Sequence, residues 1–166
     1  TAAHIAAMKG SGLTIKELMQ IDKDMVIHAQ TKTTESNTLH LGAAGGHRNV
    51  VALLLKNGSE PTIENANGMT CIHLAAKYGH TNILDCIDKE LWGYTSKKTG
   101  RNALHVAAHF GQTNFVQAIL NEVSPTVRSD PPLGTNPLMV KELSTEYGIT
   151  PLHMAAQSGH EGLVRL

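Results

Sequence analysis

One eleven-residue pattern occurs five times in this 166-residue chain, and that repetition limits the folds open to it more than any other feature. The second copy reads NTLHLGAAGGH and the fifth reads TPLHMAAQSGH. A pattern that recurs every 20 to 50 residues or so is typical of a solenoid, whose stacked units bury a shared core. The copies are marked by histidines 36, 33, 32 and 48 residues apart, namely His4, His40, His73, His105 and His153.

Each copy contains the start and stop signals of a short helix. A Thr or Asn opens the pattern, and its side-chain oxygen can accept a hydrogen bond from the first helical turn. Pro151 suits the first helical position, where a backbone N–H is not needed. The alanine pairs allow neighbouring helices to approach closely. A glycine suited to the left-handed conformation that ends a helix follows in four copies, at Gly46, Gly79, Gly111 and Gly159.

A second helix and a turn complete the unit. The segment NVVALLLKNG has a broad apolar face from Val50 to Leu55 and ends at Gly58. The segments NILDCI and NFVQAIL occupy the same place in the third and fourth units. The stretch NANG, Asn65 to Gly68, ends in an Asn-Gly pair that favours a tight turn. We therefore expect helix-turn-helix units with finger turns at about 1–36, 37–69, 70–101, 102–149 and, in part, 150–166.

The repeat resembles the ankyrin motif, whose T-P-L-H-x-A core recurs about every 33 residues. Thr150, Pro151, Leu152 and His153 match that core residue for residue. The resemblance extends over the whole chain and implies an all-α ankyrin-repeat solenoid of about five units. It also implies that fingers and first helices form a concave surface that binds a protein partner, and it does not imply catalysis.

Two units depart from the 33-residue spacing. The first is three residues longer, and we expect its second helix to start later and run longer. The fourth is 15 residues longer, with the excess in an insertion at 124–148. We interpret this insertion either as a tolerated loop that folds back on the array or as a contact for a partner or another repeat. Asn136 and Pro137 predict the start of an extra helix there, with an apolar face of Leu138, Met139 and Leu143.

The ten histidines raise the question of a metal or catalytic site, which their spacing does not support. We interpret the five anchor histidines as hydrogen-bonded structural residues. We expect His47, His80 and His160 to cap or link the two helices of a unit. Cys71 and Cys86 are interpreted as buried structural thiols, with a redox pair as the alternative. Zinc-protease, phosphate-loop and nucleophile-elbow motifs are absent, so we expect no enzyme, catalytic residue, cofactor or metal.

Charge argues against nucleic acid and against membrane contact by this segment. Fourteen basic residues balance fourteen acidic ones, which leaves no long-range field to attract polyanions. Basic residues cluster at one finger, where Lys97, Lys98 and Arg101 follow Trp92 and Tyr94. This cluster is interpreted as a protein or acidic-lipid contact, or as ordinary solubilising charge. Trp92 is expected to be partly buried under the next unit, and tryptophan is frequent in interface hot spots.

The insertion and the sequence after it, SDPPLGTNPLMVKELSTEYGITPLHMAAQSGHEGLVRL, resemble the cytoplasmic ankyrin array of TRPN-class channels, the no-mechanoreceptor-potential-C type. Neither end of the chain reads as a polar capping repeat, so we expect both ends to be truncated. The resemblance implies an elastic tether or gating spring that joins a cation pore to microtubules. It places the array on the cytoplasmic side of the plasma membrane in a homotetrameric parent. The alternative is a soluble or membrane-associated adaptor whose concave face binds a protein.

Overall fold

The computed structural model describes residues 1–123 and 148–165, and its regular elements are helices. This confirms the predicted all-α class. The predicted helix on Leu138, Met139 and Leu143 lies outside the described residues. The α-helices are α1 Ala2–Met8, α2 Gly12–Ile21, α3 Lys23–His28, α4 Thr38–Ala44, α5 Arg48–Lys56, α6 Cys71–Tyr78, α7 Ala103–His109, α8 Thr113–Val123, α9 Pro151–Gln157 and α10 Glu161–Val164. Two 3-10 helices, Thr81–Cys86 and Lys89–Gly93, lie between α6 and α7.

The helices form two layers. The first helix of each unit packs on the first helix of the next, in the order α1, α4, α6, α7 and α9. The buried alanines of the repeat, such as Ala75 and Ala107, permit this close stacking. Second helices form the other layer, in which α2 contacts α5 and α5 contacts the 3-10 helix Thr81–Cys86. The core between the layers contains Ile15, Leu54, Ile83, Phe115 and Ile119, all fully buried.

Two second-layer segments differ from the sequence prediction. In the first unit, α2 begins two residues after Gly10, just as α5 begins two residues after Gly46, so the predicted late start is wrong. A separate helix, α3, follows α2 instead, and it begins where Asp22 Oδ1 accepts a hydrogen bond from the Met25 N–H at 2.9 Å. In the third unit the second helix is a 3-10 helix, because TNILDC is rich in residues of low helix propensity.

The glycine that ends a first helix also makes room for the following unit. Gly46 has a φ of 70°, and a Cβ built on it would lie 2.6 Å from His80 Nδ1. His80 Nε2 in turn donates to the carbonyl oxygen of Ala44 at 2.9 Å, at the C-terminal end of α4. His47, His80 and His160 do stand at the N-cap positions of the second helices, but their side chains make no cap bond there. The expectation that they link the two helices of one unit is wrong, because their side chains link adjacent units. Three other residues make the same backward bond, namely His47 to Met8, Gln112 to Lys77 and His160 to His109.

The described helices are short, and α8 is the longest at 11 residues. In residues 1–123 and 148–165, no helix has both the length and the apolar character that crossing a membrane requires.

We predict that Gly46→Ala destabilises the array in two separable ways. The left-handed backbone costs about 1–2 kcal/mol with a Cβ present. Displacement of the His80 ring costs about 1 kcal/mol more, because the bond to Ala44 is lost. Urea denaturation should therefore show a smaller cost of Gly46→Ala in a His80→Ala background than in the wild type.

Gly58→Ala is the matched control for this double-mutant cycle. Gly58 also has a positive φ, 96°, but a Cβ added to it would have no neighbouring atom within 4 Å. The loss of unfolding free energy caused by Gly58→Ala should be the same with and without His80→Ala. An equal cost of Gly46→Ala in the two backgrounds would contradict the role assigned to the His80 ring.

Candidate functional site

The anchor histidines connect each first helix to the segment that leads into the next unit. His73 Nε2 lies 2.9 Å from the carbonyl oxygen of Arg101, and His40 Nε2 lies 2.9 Å from that of Met69. His105 bonds the carbonyl oxygen of Ile149 at the same distance. His4 bonds that of Ala29, also at 2.9 Å. In the fifth unit His153 is exposed, and its Nδ1 lies 2.9 Å from Thr150 Oγ1.

These contacts fix which ring nitrogen carries the proton. A carbonyl oxygen only accepts, so His73 Nε2 must be protonated. Nδ1 of the neutral ring is then free to accept from the backbone N–H of Thr70 at 3.3 Å. Burial lowers the pKa of His73 from 6.5 to about 4, although the Arg101 carbonyl acts in the opposite direction. Burial lowers the pKa of His40 as well. Both rings are therefore neutral structural elements near pH 7.

The fingers, defined as residues 31–36, 65–69 and 96–101, are joined side by side. Glu64 lies just before the second finger, and its carboxylate accepts from the backbone N–H of Lys97 at 2.6 Å and from Tyr94 Oη at 3.3 Å. Burial and the Glu64 charge raise the pKa of the Tyr94 phenol. Lys98 Nζ donates to the carbonyl oxygen of Asn65 at 3.2 Å. These bonds hold the basic finger in a defined position, while the side chain of Lys97 stays exposed.

Trp92 belongs to the core, which corrects both the expected partial burial and its place among the candidate contact residues. Only 3% of the residue is exposed, and its Nε1 donates to the carbonyl oxygen of Ile87 at 3.2 Å. It lies on the 3-10 helix Lys89–Gly93, which contacts α7. Trp92 is part of the hydrophobic core and contributes to the packing of the third unit.

An exposed aromatic patch lies at the ends of α6 and α7. We define it as Lys77, Tyr78, His109 and Phe110. Tyr78 is 50% exposed and Phe110 is 40% exposed. Lys77 Nζ lies 5.4 Å from the centre of the Tyr78 ring and 5.1 Å from that of Phe110. The ring of His109 meets that of Phe110 edge-on at 4.9 Å, and its Nδ1 lies 3.0 Å from Ser158 Oγ.

Sequence reasoning missed this patch, although a signal for it exists. The two residues just before the helix-ending glycine change in every copy, while most residues around them repeat. They are Met8-Lys9, Ala44-Gly45, Lys77-Tyr78, His109-Phe110 and Gln157-Ser158. A position that varies within an otherwise constant unit is free of the constraints of stacking. In the third and fourth units these positions hold the exposed rings.

Comparison with known families decides what kind of repeat this is. A family model described as ankyrin repeats in three copies matches residues 39–130 and 89–166. The chain belongs to the ankyrin-repeat family. The matched residues include four of the five anchor histidines and both aromatic residues of the patch.

Similar curated proteins include ubiquitin ligases and a cation channel. A probable E3 ubiquitin-protein ligase of Oryza sativa subsp. japonica is 31% identical over 151 residues, which cover 79% of this chain and 30% of that protein. A second such rice ligase is 34% identical over 88 residues, covering 52% and 19%. Human transient receptor potential cation channel subfamily A member 1 is 34% identical over 84 residues, covering 51% and 7%. The chain thus spans less than a third of each of these proteins.

The ankyrin scaffold contains two thiols, which lie in different surroundings. Cys71 is buried in α6, and burial raises the pKa of its thiol to about 12. Cys86 is partly exposed at the end of the 3-10 helix Thr81–Cys86. Among the residues that the structure describes, no group of three or more His, Cys, Asp or Glu is arranged to hold a metal ion.

We predict that the ankyrin array loses stability in mild acid because of His73. Its pKa falls from 6.5 to about 4 on folding, so between these values the unfolded chain binds more protons than the folded one. The ring makes its full contribution to the free energy of unfolding above pH 6.5. This contribution is lost as the pH falls to about 4. A shift of this size corresponds to roughly 3 kcal/mol.

Urea denaturation across this pH range should show a smaller loss in His73→Gln than in the wild type. His28→Gln is the matched control, since His28 is exposed and lies outside the anchor positions. If His73→Gln loses as much unfolding free energy as the wild type across this pH range, the explanation is wrong.

Proposed function

We propose that this ankyrin chain is a non-catalytic protein-binding module that uses its first-helix layer and fingers. The observation that carries the proposal is the aromatic patch, where Tyr78 and Phe110 are exposed on helices that are fixed at both ends. Aromatic side chains are enriched at protein interfaces because they supply a large contact area at a small cost in conformational entropy. The patch also consists of side chains at the positions that stacking leaves free to vary.

Rigid presentation supports this proposal. The end of α6, which bears Lys77 and Tyr78, is held by the bond from Gln112 Nε2 to the Lys77 carbonyl oxygen at 2.9 Å. The end of α7 is held in the same way by His160, through the His109 carbonyl oxygen at 3.0 Å. Residues that are held before binding lose less entropy when a partner docks. The similar proteins named above are two ligases and a cation channel. This range is consistent with a binding module that forms part of proteins with different activities.

The proposal predicts that peptides selected for binding to this chain depend on the aromatic patch. A random-peptide display library is selected against the 166-residue chain, and the affinities of enriched peptides are then measured. Tyr78→Ala combined with Phe110→Ala should weaken them about tenfold or more, because hot-spot truncations cost more than about 1 kcal/mol each. Circular dichroism and thermal denaturation check that the variant is folded.

Leu13→Ala combined with Ile21→Ala is the matched control. Both residues lie on α2 in the second layer and are more exposed than the patch, at 79% and 82%. This variant should bind the peptides like the wild type. Peptides that bind the patch variant with unchanged affinity would overturn the proposal, as would a selection that enriches none.

A second proposal is that the array is the elastic cytoplasmic tether of a TRPN-class mechanosensory channel. The 84-residue match to a human transient receptor potential channel favours it, together with the resemblance of the fourth-unit insertion to that class. In this proposal the parent is a homotetramer in the plasma membrane, and the array joins the pore to microtubules. Bonds that run from unit to unit, such as His80 to Ala44, would let small rotations add up along the stack.

The tether proposal predicts reversible extension of the array before any unit unfolds. Single-molecule stretching should show a smooth force rise that retraces itself on relaxation. His80→Ala should lower the stiffness at low force, whereas Leu13→Ala should leave it unchanged. An array that yields only by stepwise rupture of units would contradict this proposal and would leave the binding proposal unaffected.

A further inference from the structure

In the third unit, acidic residues predominate in the second-layer segment and basic residues in the finger. Its second-layer segment, residues 81–93, contains Asp85, Asp88 and Glu90 with one lysine. Its finger, residues 96–101, contains Lys97, Lys98 and Arg101 and no acidic residue. A chain with zero net charge therefore presents a local positive field at this finger.

The basic side chains of the finger take part in none of the ion pairs found within the described residues. The ion pairs there are Arg48 with Asp85, Lys89 with Glu122 and Arg165 with Glu161, all on second-layer segments. Lys98 Nζ donates to the neutral carbonyl groups of Asn65 and Ala66 and not to a carboxylate. Lys77 Nζ lies beside two aromatic rings. Glu64 is the carboxylate that reaches the finger, and its oxygens accept from Tyr94, Ser96 and the backbone of Lys97.

We propose that the first-helix layer of the third and fourth units binds an acidic peptide segment with an apolar anchor. Carboxylates of the peptide pair with Lys97, Arg101 and Lys77, while its apolar side chain packs on Tyr78 and Phe110. The inference rests on the proposed binding function and assigns the chemistry of the partner. Charge complementarity supplies the argument, because the surface joins exposed rings to cations that outnumber the one carboxylate, Glu64, bonded to the finger.

The geometry also predicts the spacing within such a peptide. The finger is attached to α6 at His73, through the bond to the Arg101 carbonyl, and the patch begins at Lys77. These positions are four residues apart on an α-helix, a rise of about 6 Å, and the helix itself spans about 12 Å. An extended peptide covers this range in about two to four residues. The acidic residues should therefore lie two to four positions from the apolar anchor.

The test uses the peptides that depend on the patch in the display selection described above. They should be enriched in Asp and Glu at the stated distance from a Leu, Ile, Phe or Met. Lys97→Gln combined with Arg101→Gln should weaken them about tenfold. Glutamine removes the charge without placing a new carboxylate beside Glu64, so the finger should keep its fold. Raising the salt concentration should weaken binding to the wild type more than to this variant.

Lys16→Gln combined with Lys56→Gln is the matched control. Both lysines are exposed on second-layer helices, so their loss changes the net charge equally without touching the finger. This control should bind the peptides like the wild type. Equal weakening in the control would show a general charge effect and would overturn the inference.

The remaining outcomes separate the inference from the function on which it rests. Patch-dependent peptides that are neutral or basic would overturn the acidic-partner inference and leave the binding proposal intact. Peptides that bind independently of Tyr78 and Phe110 would overturn both. Binding to phosphatidylserine vesicles, with no peptide of any charge selected, would also overturn both and identify the basic finger as a lipid contact.

Discussion

The hydrogen bond from an anchor histidine to the segment that leads into the next unit, made by His4, His40, His73 and His105, is the contact on which the array depends. The same ring accepts a hydrogen bond from the start of its own helix and donates one to the connection that follows the unit's second helix. It therefore stabilises both the helix and the attachment of the next unit. For His73 these partners are the Thr70 N–H and the Arg101 carbonyl. Isolated helices of seven or eight residues are unstable in water. Here the anchor histidine satisfies one end of α6, and Gln112 of the next unit satisfies the other.

The fold class could be predicted from the sequence because its determinants are local and recur. A Thr or Asn start, a histidine at the third helical position and a terminal glycine can each be recognised without knowledge of the tertiary structure. Trp92 shows where this reasoning ends. Its burial follows from the 3-10 conformation of the third unit's second layer, which depends on weak propensities and on packing against α7. His80 shows the same limit, because its partner, the Ala44 carbonyl, lies 36 residues earlier.

The proposed binding surface consists of positions that stacking leaves free to vary. Stacking fixes the alanines, the histidines and the glycines of the first helix, and it leaves two positions in each copy free to vary. In the third and fourth units those positions hold Lys77, Tyr78, His109 and Phe110. The sequence prediction placed interaction residues on and just before the finger and on the insertion, and it omitted this patch, because motif matching depends on the residues that repeat. The finger residues Lys97 and Arg101 and the patch residues lie at opposite ends of the same short helices.

The second layer, by contrast, tolerates large changes without disturbing the first. Its segments are α-helical in the second and fourth units, 3-10 in the third and divided into two helices in the first. The length of the connection varies as well. His40 and Met69 are 29 residues apart, whereas His105 and Ile149 are 44 residues apart, yet both pairs bond at 2.9 Å. Insertions after a second helix therefore leave the anchor bond intact. Because the stack depends on that bond, a long connection can be added while the surface formed by first helices and fingers is preserved.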